Sequence, residues 1–192
     1  MVINMRRLVI TMIILLLFFF RIILGYIAPL VMPSMAREMY ESVRESIRRV
    51  LPGGEMKPSI SLVMLIFLNN LRVAILSIIL GPTIVIPSLI IMVNGFVLGL
   101  VASLAIGSGI NIITVVLAIL PHGIFELPAL IYSAVVGTEL GIWIIQKVFF
   151  KKGRSVEEIL IGLVFSITII AVLLLTAAFI ETFVTPAIVA MG

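Results

Sequence analysis

Long apolar runs separated by short charged segments dominate this sequence and leave few choices of fold. Residues 8–31 contain one charged side chain, Arg21, and comparable apolar runs follow at about 60–80, 83–105, 126–149 and 157–182. A helix needs about 20 apolar residues to cross a hydrocarbon core of about 30 Å. Because only helices and closed barrels span a bilayer, helical runs of this length predict an all-α, polytopic transmembrane bundle formed by one domain, residues 1–192.

The composition agrees with a membrane protein and excludes other classes. Of the 192 residues, 62% are hydrophobic and 11% are charged, whereas about a quarter of a soluble domain is charged. The net charge of +4 is not gathered into a basic face interleaved with aromatic residues, so we expect membrane lipid and no nucleic acid as a partner. The absence of Cys excludes disulfides and thiolate metal sites.

The first apolar run follows Arg6 and Arg7, a pattern that signal peptides share with first transmembrane helices. The segment Ser34-Met35-Ala36 also resembles a cleavage site. However, the run at 8–31 is longer than the apolar core of a typical signal peptide. This length favours an uncleaved first span.

A charged segment after the first span has the pattern of an amphipathic helix. Met35, Met39 and Val43 recur at helical spacing, Ser34 is a candidate N-cap, and the segment 52–54 (Pro-Gly-Gly) ends the pattern. The sequence predicts a helix at about 34–50 that lies on the membrane surface or on the bundle. The whole loop at 34–58 is also a candidate surface for a protein partner.

Two prolines predict a break inside the membrane. The run at 107–120 would span only about 21 Å as a helix, at 1.5 Å per residue. Pro121, Gly123 and Pro128 follow it, and a proline inside a helix removes a backbone hydrogen bond. We therefore expect 107–120 to be short or re-entrant, followed by an irregular segment at 121–128.

Because the run at 107–120 is short, the sequence is compatible with either five or six spans. With six, the N-terminus lies outside; with five, it lies inside. The positive-inside rule favours six, because six spans place more Lys and Arg residues on the cytoplasmic side. However, the loop at 37–57, which decides this comparison, also carries four Glu. Both alternatives place the loop at 147–154 in the cytoplasm and the C-terminus outside.

The few polar groups within the spans are the best candidates for function. A charged side chain at the centre of a span raises the free energy of membrane insertion by roughly 2.5–3.5 kcal/mol. We therefore expect each such residue to serve folding or function. The predicted intramembrane polar site consists of His122, Glu126, Asn69, Asn70, Asn94 and Arg72, with Arg21 and Glu139 as further members. We expect Arg72 to pair with Glu126 or Glu139, although such pairs could serve only to hold the bundle together.

His122 and Glu126 are four residues apart, so they share a face if the segment is helical. An imidazole beside a carboxylate can bind a cation or move a proton; alternatively, Glu126 caps a helix and His122 bonds to it. These two side chains are the metal candidates, but they are too few for a tetrahedral site. No cofactor is therefore predicted, and no residue is assigned as catalytic because neither H-E-x-x-H nor G-x-S-x-G is present.

Gly137 and Gly141 have the spacing that lets helices approach closely. The pattern permits a dimer interface or a tight contact inside the bundle.

The run Pro-His-Gly-Ile-Phe-Glu-Leu-Pro-Ala at 121–129 closely resembles the hallmark of the stage II sporulation protein M family. Asn69-Asn70, Gly81, Asn94-Gly95 and Gly99 are similar to that family in order and spacing, so the resemblance covers about 65–141. It implies a multi-pass membrane protein that anchors a complex whose partners carry the enzymatic activity. Relatives occur in organisms that do not sporulate, and we expect this chain to be one of those.

Three functions follow, in order of preference. The first is a non-enzymatic scaffold or anchor of a membrane complex, acting as a homodimer. The second is a dimeric channel or transporter that uses the polar groups around His122 and Glu126. The third is a metal-dependent membrane enzyme.

Overall fold

The structure, a computed structural model, describes residues 5–50 and 58–189, without the side chains of 43, 44, 46–50 and 189. This part of the chain is helical and contains no strand. The helices are α1 (Met5–Val31), α2 (Pro33–Val50), α3 (Ile60–Ile79), α4 (Val85–Gly107), α5 (Ile112–Phe150), α6 (Val156–Phe179) and α7 (Thr185–Val189). A 3₁₀ turn at Gly81–Thr83 joins α3 to α4, and a π turn at Ile180–Val184 joins α6 to α7.

Five of these helical segments are long and apolar enough to cross a membrane. They are α1, α3, α4, α5 and the continuous segment Val156–Ile188, which comprises α6, the π turn and most of α7. Large apolar side chains cover their outer surfaces; Leu16 is 71% exposed and Phe165 is 67% exposed. The predicted multi-pass helical bundle is confirmed. The described part of the chain contains five such segments, which favours the alternative with five spans.

The predicted break at 121–128 is also wrong, because α5 runs without interruption through Pro121 and Pro128. Each proline costs one backbone hydrogen bond, from its own missing N–H to the carbonyl of Leu117 or Ile124. In an apolar surrounding, keeping the remaining helical bonds is worth more than unwinding, because an irregular segment would expose many unpaired groups. Within the run at 107–120, Gly107 ends α4, residues 108–111 connect the two helices, and 112–120 form the start of α5.

The middle of α5 forms the centre of the bundle. Its buried residues run almost continuously from Ala129 to Gly141, and it packs against α1, α3, α4 and α6. At about 1.5 Å per residue its 39 residues extend about 58 Å. This length exceeds the hydrocarbon core, so part of α5 extends beyond it.

Glycines bring α1 and α4 into backbone contact over residues 18–26 of α1 and 95–100 of α4. The Cα of Gly99 faces the carbonyl oxygen of Ile22, and Gly25 faces the carbonyl oxygen of Phe96. A Cβ atom at either glycine would collide with that oxygen. Since residues increase in the same direction along both helices, α1 and α4 run parallel.

The Gly137 and Gly141 pair makes a tight contact inside the chain. Gly137 lies against the backbone of Ser77 at the end of α3, and Gly141 lies against the backbone of Gly81 in the 3₁₀ turn. The spacing permitted a dimer interface or a tight contact inside the bundle, and the structure shows the contact inside the bundle.

The predicted amphipathic helix is confirmed as α2, which packs against α1 and α4. Within its first half, Ala36 is buried, whereas Met35 and Met39 are exposed. The rest of the loop at 51–57 and the C-terminal Gly192 lie outside the described residues.

One end of the bundle carries six of the 13 basic residues of the chain. Arg7 binds Glu139, and Arg6 donates to Gln146 at 3.5 Å, so the start of α1 lies beside the end of α5. We call this the basic end; it contains Arg6, Arg7, Lys147, Lys151, Lys152 and Arg154.

Candidate metal centre

His122 and Glu126 lie one turn apart on α5, between its two prolines. Because the segment is helical, residues four apart project from the same face. Glu126 lies thirteen residues before Glu139 of the basic end, about 20 Å along the helix. The pair is therefore well inside the spanning part of α5.

Glu181 completes a cluster with these two residues. One ligand atom from each of His122, Glu126 and Glu181 lies within 4.8 Å of the other two, and all three side chains are half-buried. Glu181 lies in the π turn after α6. A π turn holds one residue more than an α turn, which shifts the following side chains by about 100° around the axis, and such turns occur often at functional sites.

The cluster would carry an unbalanced negative charge if both of its carboxyl groups were ionised. Two carboxylates this close repel each other, and the repulsion is stronger in a membrane than in water because the dielectric constant is low. Among the side chains that the structure describes, no basic group lies within ion-pair distance of Glu126 or Glu181. The acidic residue of α5 that does form an ion pair is Glu139, with Arg7. A bound cation would neutralise both carboxylates at once.

Polar atoms without a protein partner collect in the same segments. Six buried side-chain atoms of the described residues lack a hydrogen bond, and three of them belong to His122, Thr182 and Thr185. Thr182 is 2% exposed and follows Glu181 directly. Buried polar groups usually have a partner, and an exception often marks a place where an ion or water binds.

The donor set fits a first-row divalent ion. Imidazole nitrogen together with carboxylate oxygen suits Zn²⁺, Mn²⁺ and related ions, whereas Ca²⁺ and Mg²⁺ prefer oxygen alone. Ligand atoms bound at about 2.1 Å in a tetrahedron lie roughly 3.4 Å apart. Atoms that are already within 4.8 Å reach this spacing by small side-chain rotations. Three protein ligands leave at least one coordination position for water or another ligand.

The other polar residues predicted for this site do not join the cluster. Asn69 and Arg72 are exposed on α3, and Asn70 is half-buried without a hydrogen bond to the cluster in the described part of the chain. The amide of Asn94 donates to the carbonyl of Ile90 in its own helix at 2.8 Å. Asn94 therefore satisfies its donor locally.

The predicted pairing of Arg72 with Glu126 or Glu139 is wrong. Glu139 accepts from Arg7 instead, with 2.7 Å between Arg7 Nη2 and Glu139 Oε2. Arg21 has its guanidinium 5.0 Å from the centre of the Phe96 ring, a cation–π contact between α1 and α4. Sequence spacing could not show that Arg7, at a helix end, was the partner.

Sequence reasoning missed Glu181, because it was placed at the end of the last span. One signal was present: Glu181 is the only charged residue after Glu158. A lone carboxylate in a long apolar run is the type of residue that marks functional sites in membranes.

Comparisons with known proteins agree with the sequence resemblance. A family model described as Stage II sporulation protein M matches residues 14–186, a range that contains all three residues of the cluster. An uncharacterized protein of Methanocaldococcus jannaschii is 34% identical over 127 residues, which cover 64% of this chain and 70% of that protein. No solved structure matches. The extent of the family match shows that this chain belongs to the stage II sporulation protein M family.

Proposed function

We propose that this membrane protein binds a first-row divalent cation, represented by Zn²⁺, between α5 and the π turn, and conducts it as a channel or transporter. The observation that carries the proposal is the convergence of His122, Glu126 and Glu181 within 4.8 Å. Ionisable side chains are expensive inside a membrane and typically line ion or proton pathways there. The residues come from two helical segments, so a bound ion would connect α5 to the π turn after α6.

Cation binding fits the cluster better than hydrolysis does. A metal hydrolase needs a general base beside the ion as well as an open coordination position. If Glu126 and Glu181 are both ligands, no carboxylate of the cluster remains to act as the base. A site with three protein ligands can still bind an ion and release it.

Zinc flux into proteoliposomes tests this proposal. With a zinc-sensitive dye inside the vesicles, the native protein is expected to admit Zn²⁺ down its gradient, and Glu126→Gln is expected to abolish that flux. Glu157→Gln, which removes an exposed carboxylate at the start of α6, serves as the matched control and should retain it. Zinc binding without flux would contradict the transport function but would still support the binding site.

We further propose that the basic end faces the cytoplasm, as the positive-inside rule indicates. The contacts of Arg6 and Arg7 with Gln146 and Glu139 support a common side for the N-terminus and the loop at 147–154. Five crossings then put the C-terminus outside. Reporters fused at the N-terminus and inserted after Lys152 are both expected to report the cytoplasm, whereas opposite locations would contradict this topology.

A second candidate function, a scaffold that forms a homodimer, is favoured by the exposed face of α3. Asn69 and Arg72 lie three residues apart on that face, and Arg72 is about 10 Å inside the end of α3. An arginine exposed to lipid at this depth is costly. We propose that a second copy covers it, with Arg72 of each copy donating to the Asn69 amide oxygen of the other.

Cysteine crosslinking tests the homodimer directly, since the native chain has no Cys. Asn69→Cys is expected to give a disulfide-linked dimer in membranes under mild oxidation. Thr168→Cys is the matched control: it replaces a polar, exposed residue on α6, whose hydroxyl bonds only to its own helix in the described structure, and it should stay monomeric. Equal crosslinking at both positions would indicate random collision and contradict the interface.

A further inference from the structure

A polar cavity lies at the basic end, away from the metal cluster. It has a volume of about 320 Å³ and is lined by α1, α5, α6 and the loop between α5 and α6. Its wall includes Arg6, Arg7, Tyr132, Trp143, Arg154 and Phe165. Tyr132 follows His122 by ten residues, about 15 Å along α5, so the two sites do not overlap.

The cavity has excess positive charge. Arg7 is neutralised by Glu139 and also stacks over Tyr132, at 5.7 Å from the ring centre. In contrast, Arg6 makes only a 3.5 Å hydrogen bond to the neutral Gln146. The guanidinium of Arg154 has no carboxylate partner among the described residues.

The second acidic group of the wall is already engaged. Glu158 accepts from the backbone N–H of Ser155 at 3.3 Å, in the capping box that begins α6. Glu158 keeps its charge but makes no ion pair in the described structure, so the guanidinium groups of Arg6 and Arg154 outnumber the one unpaired carboxylate of the wall and remain available to an anion. A guanidinium is suited to phosphate because its N–H groups match two phosphate oxygens.

The remaining lining combines apolar side chains with aromatic residues that carry a polar group. Leu163 and Phe165 form an apolar wall, and Phe165 is 67% exposed on the outer face of α6. The hydroxyls of Tyr132 and Ser166, 3.0 Å apart, lie among the lining residues, and Trp143 donates to the carbonyl of Arg154 at 3.1 Å. Aromatic residues with a polar group are typical of the membrane–water interface.

We propose that this cavity binds the phosphate headgroup of an anionic membrane phospholipid through Arg6 and Arg154. The acyl chains leave past Leu163 and Phe165 into the bilayer. A soluble phosphate compound would use the two arginines but would gain nothing from the apolar wall. Basic pockets between transmembrane helices are a recurrent form of lipid headgroup site.

The single tryptophan makes the test direct, because Trp143 is the only one in the chain and lines the cavity. Phospholipid with brominated acyl chains quenches a tryptophan that it contacts. In reconstituted native protein, brominated phosphatidylglycerol is expected to associate with Trp143 on the order of 25-fold more strongly than brominated phosphatidylcholine, at about fivefold per basic residue. Equal quenching by the two lipids would overturn the proposal without any variant.

Matched variants separate the cavity from general surface charge. Arg6→Gln combined with Arg154→Gln is expected to remove the preference for phosphatidylglycerol. Lys151→Gln combined with Lys152→Gln removes the same charge from the adjacent loop, outside the cavity wall, and should keep most of the preference. Equal loss in both pairs would overturn the assignment to the cavity.

A competition experiment separates lipid from soluble anion. Glycerol phosphate added in water at millimolar concentration should leave the quenching by brominated phosphatidylglycerol unchanged. Relief of quenching would overturn the lipid proposal and indicate a site for a soluble phosphate. Because Glu126→Gln should not alter any of these readings, failure of the metal proposal and failure of the lipid proposal can be told apart.

Discussion

Replacing Glu181 with Gln is expected to weaken Zn²⁺ binding on the order of a hundredfold or more. Removal of a residue that merely supports a ligand already costs up to about a hundredfold, and Glu181 is proposed to be a ligand itself. Glutamine has nearly the same shape, so the bundle should still fold. The measurement is the dissociation constant of the purified protein in detergent, determined by competition with a zinc-chelating dye.

The effect should be similar at each of the three positions and absent elsewhere. His122→Asn and Glu126→Gln are expected to weaken binding by a comparable factor, because each removes one of three ligands. Glu139→Gln is the matched control: it also removes a half-buried carboxylate from α5, but Glu139 binds Arg7 at the basic end. Unchanged affinity in Glu181→Gln, or an equal loss in Glu139→Gln, would contradict the cluster as the binding site.

Adding one methyl group at Gly99 is expected to destabilise the bundle by about 1–3 kcal/mol or more, the range for overpacking a core. The Cβ of alanine would collide with the carbonyl oxygen of Ile22, and backbone atoms cannot turn aside as a side chain can. Relief requires α1 and α4 to separate, which loses their other contacts. Unfolding in a rising mole fraction of sodium dodecyl sulfate, followed by circular dichroism, measures the loss.

The matched glycine is Gly162 on α6, where an added Cβ would meet nothing within 4 Å. Gly162→Ala should be neutral or stabilising by up to about 1 kcal/mol, because alanine favours a helix more than glycine does. Gly141→Ala should resemble Gly99→Ala, since it would strike the backbone of Gly81. Equal free energies of unfolding for the three alanine variants would contradict the close backbone contacts at Gly99 and Gly141.

Most of the fold could be predicted because apolar length and helix signals are local properties. The first span, the amphipathic α2 and the start of α6 all follow from patterns within about 20 residues; in the structure a capping box of Ser155 and Glu158 begins α6. The segment at 121–128 was predicted incorrectly for a physical reason. The rule that proline breaks a helix comes from water, whereas in an apolar surrounding unpaired backbone groups are too costly for the helix to unwind.

The candidate site could be predicted only in part, because its members meet through tertiary packing. The spacing of His122 and Glu126 is visible in the sequence, but their proximity to Glu181 depends on how α6 packs on α5 and on the π turn. Arg72 illustrates the opposite error: it is conspicuous in the sequence, yet it is exposed on α3. Charge in an apolar run therefore identifies residues that need an explanation without identifying their partners.

X-ray absorption at the zinc edge tests the central claim most directly. The zinc-loaded native protein is expected to show one imidazole and a shell of oxygen ligands at about 2.0–2.2 Å. In zinc-loaded His122→Asn, the imidazole contribution should disappear because His122 is the only histidine in the chain. A native spectrum without imidazole, or with only the oxygen shell of hydrated zinc, would contradict the His122–Glu126–Glu181 metal centre.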